Sequence, residues 1–206
     1  MKTFNLTFVF LVFTIIMFGQ TSNNTLMMVS NYASDNSEIY DILEFEGIDY
    51  YKIKFIGNDL KDKGYQLLVK EIWDGKVVSE SVITNSRDLP FKEVQTINDT
   101  ILNITVIAKP TKDNTLKMSF KFPRYLVDKE FNALNSTDYS LINIAEESNL
   151  EIGYNKKFYL LAYILPYEKE NGMKSWCDVG VDGIDIENWG KKFGIKHYLI
   201  FEMKFE

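Results

Sequence analysis

Alternation of apolar and polar residues along short segments constrains the fold of this 206-residue chain more than any other feature. It is clearest in residues 51–55, 102–108, 116–122 and 199–206. Successive side chains of a β-strand point to opposite faces of its sheet, so each segment predicts a strand with one buried and one solvated face. Antiparallel sheets commonly have this property, and we therefore expect an antiparallel fold.

Turn-forming dipeptides lie between several of the predicted strands. Asp74–Gly75 predicts a hairpin between strands at residues 65–73 and 76–84. Asn98–Asp99 predicts a second hairpin, which makes residues 91–97 a strand. Both dipeptides tolerate the positive backbone angles that two-residue hairpin loops require.

Helical signals are few. Residues 37–45 fit a short helix, and a strand nearly as well, and residues 128–135 fit a second short helix. Residues 158–165 are apolar without interruption, which predicts a central strand buried on both faces. Together these features predict an all-β protein, an antiparallel β-sandwich of immunoglobulin-like or jelly-roll-like type. We expect about nine strands and one or two short helices.

The first nineteen residues have the pattern of a cleaved signal peptide. Lys2 supplies the positive charge, a short apolar run follows, and Gly19 is a small residue suited to cleavage. We therefore expect residues 20–206 to form a single β-sandwich domain that is exported to the periplasm, the cell surface or the medium. The alternative is a boundary between two smaller units within residues 123–149, which are rich in Asn, Ser and Asp.

Composition limits the partners and the chemistry. Loss of Lys2 with the leader leaves 22 of the 23 basic residues against 29 acidic ones. An acidic excess disfavours nucleic acid and anionic membrane surfaces, and we expect no membrane insertion after cleavage. One cysteine cannot form an internal disulfide, so the fold has to depend on its core.

Residues 176–197 contain the only cysteine and the only histidine of the chain, together with several acids. We interpret them as a hairpin with Asp182–Gly183 at its tip. The alternative is a calcium site, because these acids are spaced like those at the start of an EF-hand loop; its candidate ligands are Asp178, Asp182, Asp185 and Glu187. We expect no bound cofactor other than this calcium ion.

The same segment offers few elements of catalysis. Cys177 and His197 would need contact and an orienting third group to act as nucleophile and base, and the sequence indicates neither. The common hydrolase and nucleotide-binding motifs are missing. A pair of carboxylates for glycoside hydrolysis needs no motif, so that class of enzyme stays open.

Tryptophans can stack on sugar rings or anchor a protein partner. Trp189 lies in a polar segment and is predicted to be exposed, and Trp176 is the second candidate for a glycan or partner contact. Most of the other aromatic residues are expected to fill the core.

The leader ending MFGQ, the abundance of Asn, Lys, Ile, Tyr and Phe, and the hairpin GYQLLVKEIWDGKVV resemble small exported proteins of unknown function from Bacteroides-like gut bacteria. The resemblance extends over the whole chain. It implies an extracytoplasmic, Gram-negative setting and supplies no site residues.

These features favour a non-enzymatic domain that binds a protein or a glycan at the cell surface, or that forms part of a surface assembly. One alternative is a hydrolase of extracellular glycans or polymers with a carboxylate pair. The other is a calcium-stabilised carbohydrate-binding module.

Overall fold

A computed structural model describes residues 26–169, 171–176 and 185–206. The predicted leader and the hairpin tip at Asp182–Gly183 lie outside these residues. The described strands are β1 (Met27–Tyr32), β2 (Asp49–Ile56), β3 (Tyr65–Trp73), β4 (Lys76–Asn85), β5 (Ile101–Pro110), β6 (Thr115–Lys121), β7 (Leu126–Asn132), β8 (Ser140–Ile142), β9 (Phe158–Ile164), β10 (Tyr167–Glu168), β11 (Lys174–Ser175) and β12 (His197–Phe205). The described α-helices are α1 (Ser37–Phe45), α2 (Lys92–Gln95), α3 (Ile144–Glu147) and α4 (Trp189–Phe193), and 3₁₀ turns lie at Asn58–Leu60, Ser86–Asp88 and Ile186–Asn188.

Two five-stranded antiparallel sheets form the protein, which confirms the all-β sandwich and raises the number of strands above the nine expected. Sheet I has the order β1-β2-β5-β6-β7, and sheet II has the order β4-β3-β12-β9-β8. Strands β10 and β11 form a separate two-stranded ribbon. In the described part of the chain, no helix is both long enough and apolar enough to span a bilayer.

The main core lies between the sheets and is built from the inward-facing positions of the alternating segments. Leu116 and Phe120 of sheet I and Phe201 of sheet II have no exposed surface. The rings of Phe120 and Phe201 lie 5.3 Å apart across the interface. Burial of this many aromatic and aliphatic side chains is the main source of stability in a chain with no disulfide.

A second core covers the outer face of sheet II. The described residues between β9 and β12, which we call the cover segment, place Ile186, Trp189 and Ile195 against outward-facing residues of β12 such as Tyr198 and Ile200. Strand β9 is therefore buried on both faces, as its unbroken apolar run predicts.

The predicted turn at Asp74–Gly75 is confirmed, since both residues have positive φ angles, 48° and 69°. Residues 37–45 form helix α1, capped by the Asn36 side chain, which accepts from the Ile39 amide. The helical alternative was therefore correct for that segment.

Two predicted elements are wrong. Residues 91–97 contain helix α2 instead of a strand, because half-buried Val94 and buried Ile97 are three residues apart and follow Pro90. Residues 128–135 are mostly strand β7, whose backbone pairs with the otherwise free edge of β6. The chain then passes from sheet I to sheet II between Asn132 and Ser140, within the Asn-, Ser- and Asp-rich residues 123–149.

Candidate ligand-binding cleft

The sandwich opens at one edge because sheet II ends there in a very short strand. Strand β8 has three residues, whereas β1 and β2 opposite it have six and eight. Inward-facing positions of sheet I therefore reach solvent at this edge. Two of them are Tyr32 and Tyr51, which are cross-strand neighbours with ring centroids 5.1 Å apart.

These tyrosines line an open cleft of about 330 Å³, which we call the tyrosine cleft. Its lining residues are Tyr32, Tyr51, Ser140, Leu141, Ile142, Glu147 and Trp176. The indole nitrogen of Trp176 is buried and finds no acceptor among the described residues. Because that nitrogen is buried, the ring of Trp176 offers the cleft an apolar surface and not a hydrogen-bond donor.

Asp49 lies behind Tyr32 at the base of the cleft and is 8% exposed. One carboxylate oxygen accepts from the Tyr32 hydroxyl at 3.1 Å, and the other accepts from the Leu141 amide at 3.2 Å. Burial raises the pKa of Asp49 to about 6, because desolvation disfavours the charged form more than these donors favour it. Asp49 thus connects Tyr32 of sheet I to Leu141 of β8, the edge strand of sheet II.

Further acids lie beside Tyr51. The Glu146 carboxylate accepts from Ser30 of β1 and, at 3.0 Å, from Asn143. Partial burial, and then the charge of Glu146, raise the pKa of Glu147. The pKa of Tyr51 is raised to about 12 by burial and then by the charges of Glu147 and Asp49. Carboxylates therefore converge on an aromatic cleft.

A buried polar network extends from Asp49 into the core. The Tyr163 hydroxyl is buried beside Asp49, and its pKa is raised by burial and then by the charge of Asp49. The ring of Tyr163 packs against Tyr139, whose hydroxyl lies 2.6 Å from Nδ1 of His197.

His197 is fully buried, and burial lowers its pKa to about 4. A neutral imidazole that accepts from Tyr139 through Nδ1 carries its proton on Nε2, which faces Glu71 at 3.8 Å. Cys177, the suggested nucleophile, lies outside the described residues. The environment of His197 is that of a core residue.

The predicted metal ligands have separate outcomes. Asp178 and Asp182 lie outside the described residues. Asp185 accepts from the Asn188 side chain at 2.7 Å, and the Glu187 carboxylate pairs with Lys70. The described residues contain no group of three or more metal-binding side chains. The calcium site stays a prediction.

The prediction that Trp189 is exposed is wrong. Its side chain is fully buried in the second core, so it cannot reach a glycan. The return arm of the predicted hairpin is also wrong at Ile186–Asn188, which form a 3₁₀ turn followed by α4. The apolar residues Ile186, Trp189 and Phe193 have helical spacing, and that signal was present in the sequence.

Trp176 does line the cleft, but no sequence motif pointed to Tyr32, Asp49 or Glu147. One signal was present. Asp49 precedes Tyr51 by two residues and so occupies an inward-facing position of an alternating strand. An acid at such a position has to be hydrogen-bonded inside the protein, and it marks an unusual site.

A second cavity of about 260 Å³ lies at the other end of sheet I, beneath α2. Two of its polar side chains already have partners within the chain. Arg124 donates to the Glu93 carbonyl at 3.0 Å, and the Tyr125 hydroxyl is 3.1 Å from that of Thr84. The tyrosine cleft is therefore the better candidate site.

Compared with known protein families, curated proteins and solved structures, the chain gives no match.

Proposed function

We propose that this protein is an extracytoplasmic binding domain that takes a sugar residue of a glycan in the tyrosine cleft. The observation that carries the proposal is the presence of Tyr32, Tyr51 and Trp176 in one open cleft with the Glu147 carboxylate. Aromatic rings stack on the apolar face of a sugar, while a carboxylate accepts hydrogen bonds from its hydroxyls. The leader pattern of residues 1–19 supports export.

The cleft volume of about 330 Å³ is near the lower limit for small-molecule pockets. Such a cleft suits one end or one residue of a saccharide more than a long chain. Tyr32 is 54% exposed, so the ligand would be partly open to solvent. We therefore expect weak binding to single sites, strengthened when several sites meet a repeating glycan.

Binding is favoured over hydrolysis by the state of the carboxylates. A glycosidase needs two carboxyl groups that reach the scissile bond. Both Asp49 oxygens accept from protein donors behind Tyr32, and Glu146 is held by Ser30 and Asn143. Glu147 is left as the one described carboxylate in the cleft lining. One carboxylate suffices for recognition but not for the two-carboxylate mechanism.

The test is a glycan array followed by calorimetry with the glycans retained. Trp176→Ala removes one aromatic wall of the cleft, so we expect weaker binding, and circular dichroism checks that the variant is folded. Tyr32→Ala should weaken binding further, because the exposed stacking ring is removed. Phe91→Ala is the matched control, since Phe91 is 68% exposed and lies outside the cleft lining.

Equal binding by wild type and Tyr32→Ala would refute the cleft as the site. If the wild type released reducing ends from a glycan and Glu147→Gln did not, the protein would be a hydrolase and not a binding domain. If the array retained no glycan, and the wild type captured a protein that Tyr32→Ala did not, the cleft would be a protein-binding site instead.

A further inference from the structure

Helix α1 exposes apolar side chains that no other described part of the chain covers. None of its residues is buried. Ile39, Ile42 and Phe45 are 49%, 61% and 89% exposed. Contiguous exposed apolar residues on one short helix indicate an interaction surface, because a monomer gains nothing by hydrating them.

The charge on α1 and its flanks is entirely acidic. Residues 34–48 contain five acids and no lysine or arginine. The acids are Asp35, Glu38, Asp41, Glu44 and Glu46. An amphipathic helix that binds anionic membranes carries basic residues on its polar face, so the charge of α1 opposes that partner. The partner of α1 should instead present apolar patches among positive charges.

The outer face of sheet I has that character, and we call it the lysine face. Lys52 and Lys54 of β2 and Lys117 and Lys121 of β6 are exposed. In the register of the sheet, Lys52 and Lys121 flank Thr105 in one row. No outward-facing position of β2, β5 or β6 is acidic, and the acids of this face, Asp128 and Glu130, lie on β7 at the far edge of the sheet.

Apolar side chains border the lysines of this face. Val29 and Met27 of β1 are 47% and 57% exposed and pair with Lys54 and Ile56 of β2. A shallow hollow of about 340 Å³ lies over Val29, Lys52 and Lys54. The lysine face therefore offers both the apolar contact and the positive charge that α1 lacks.

An ion pair already connects the two surfaces within one chain. Lys109 of β5 lies 3.8 Å from Glu46, directly after α1. The two groups are about half exposed, so this pair contributes little by itself. It does place the end of α1 beside the lysine face.

We propose that α1 of one molecule docks on the lysine face of a second copy. A nine-residue helix is about 14 Å long, which matches the width of roughly three strands. Because α1 and the lysine face are adjacent in one chain, each molecule can give its helix to the other about a two-fold axis. Such a contact closes as a dimer. The proposal stands apart from glycan binding, since the tyrosine cleft lies on the inward-facing side of sheet I.

The test is sedimentation velocity over a wide range of protein concentration, at low and at high salt. We expect a monomer–dimer equilibrium that salt weakens, since the contact is partly electrostatic. Phe45→Ala should raise the dimer dissociation constant about tenfold or more. Phe91→Ala, an exposed aromatic on another surface, should leave it unchanged.

Charge reversal gives the decisive control. One variant carries Glu38→Lys, Asp41→Lys and Glu44→Lys, and the other carries Lys52→Glu, Lys54→Glu and Lys121→Glu. Each variant alone should be monomeric, whereas their mixture should form a heterodimer through the reversed helix and the reversed face. Circular dichroism and thermal unfolding check that both variants are folded. A wild type that is monomeric at every concentration, dimers that persist in either variant, or a mixture that stays monomeric would each overturn the proposal.

Discussion

The outer faces of the two sheets are solvated to very different degrees. On sheet II, the outer face of β9 and β12 is covered by a second core, in which Trp189 and Ile200 have no exposed surface, whereas the edge strand β4 is mostly exposed. The outer face of sheet I presents lysines, and no residue of β2, β5 or β6 facing outward is fully buried. The comparison shows that one sheet of a β-sandwich can form a buried middle layer while the other forms part of the protein surface.

The difference is visible in the composition of the strands. Strands β5 and β6 alternate, with outward positions such as Asn103 and Lys117. Strand β9 and the first half of β12 are apolar at nearly every position, as expected where both faces are covered.

The largest expected effect is loss of the second core. Trp189→Ala should lower the free energy of unfolding by about 3–5 kcal/mol, because a large buried ring is removed and leaves a cavity. Urea denaturation measures the change. Val29→Ala on the lysine face is the control and should stay within about 0.5 kcal/mol. Equal effects would mean that the cover segment does not protect sheet II.

Charged groups on the outer faces of the two sheets should also differ in their contribution to stability, with the larger contribution on sheet II. Lys70 on sheet II lies 2.9 Å from Glu202, which is 5% exposed. Lys70→Met should cost about 2–3 kcal/mol, because it removes the closer of the two lysines that pair with the buried carboxylate, the other being Lys157 at 3.4 Å. Lys109→Met on sheet I should cost less than about 0.5 kcal/mol, since its pair with Glu46 is solvated. Comparable losses of stability in the two variants would contradict the contrast.

The interior also differs between the sheets, since sheet I supplies a buried acid and sheet II a buried base. Asp49 has its pKa raised to about 6, so between about pH 4 and 6 the folded state keeps a proton that the unfolded chain releases. This term lowers stability as pH rises. His197 has its pKa lowered to about 4, so in the same range the unfolded chain binds a proton that the folded state does not. This second term raises stability with pH.

The two terms are of similar size, about 3 kcal/mol each at 1.36 kcal/mol per pKa unit, and they oppose each other. Wild-type stability should therefore change little from these groups across this range. Asp49→Asn should make stability rise with pH, and His197→Gln should make it fall. Urea unfolding at several pH values measures the slopes. Parallel curves for the two variants would show that these groups do not set the dependence.

A smaller effect is expected where the cover segment meets the β3–β4 turn. A Cβ on Gly190 would lie 2.6 Å from the Gly75 Cα, which is backbone and cannot move aside cheaply. Gly190→Ala should destabilise the protein by about 2 kcal/mol, despite the better helix propensity of alanine. At Gly153 a Cβ meets only the flexible Lys156 side chain, so Gly153→Ala serves as the control in thermal unfolding. If Gly190→Ala left the stability unchanged, the contact between Gly190 and Gly75 would not help to hold the cover segment in place.

Prediction from sequence succeeded where one local pattern decides the structure. Asp74–Gly75 could form only a tight turn, and Leu116 and Phe120 could be buried only on one face of a strand. It failed for Trp189, because polar neighbours such as Asn188 and Lys191 made the segment look solvated. The stability of that segment comes from its packing on the outer face of sheet II, and the local polar pattern does not show that contact.

The sequence by itself determined the antiparallel sandwich, the inward positions of its main core and the two-sided burial of β9, since period and composition act between near neighbours. Tertiary structure alone decided the strand order, the cover over sheet II and the meeting of Tyr32, Asp49 and Trp176 at one edge. Those features depend on which strands become neighbours, such as β3 beside β12, and no local periodicity encodes that choice.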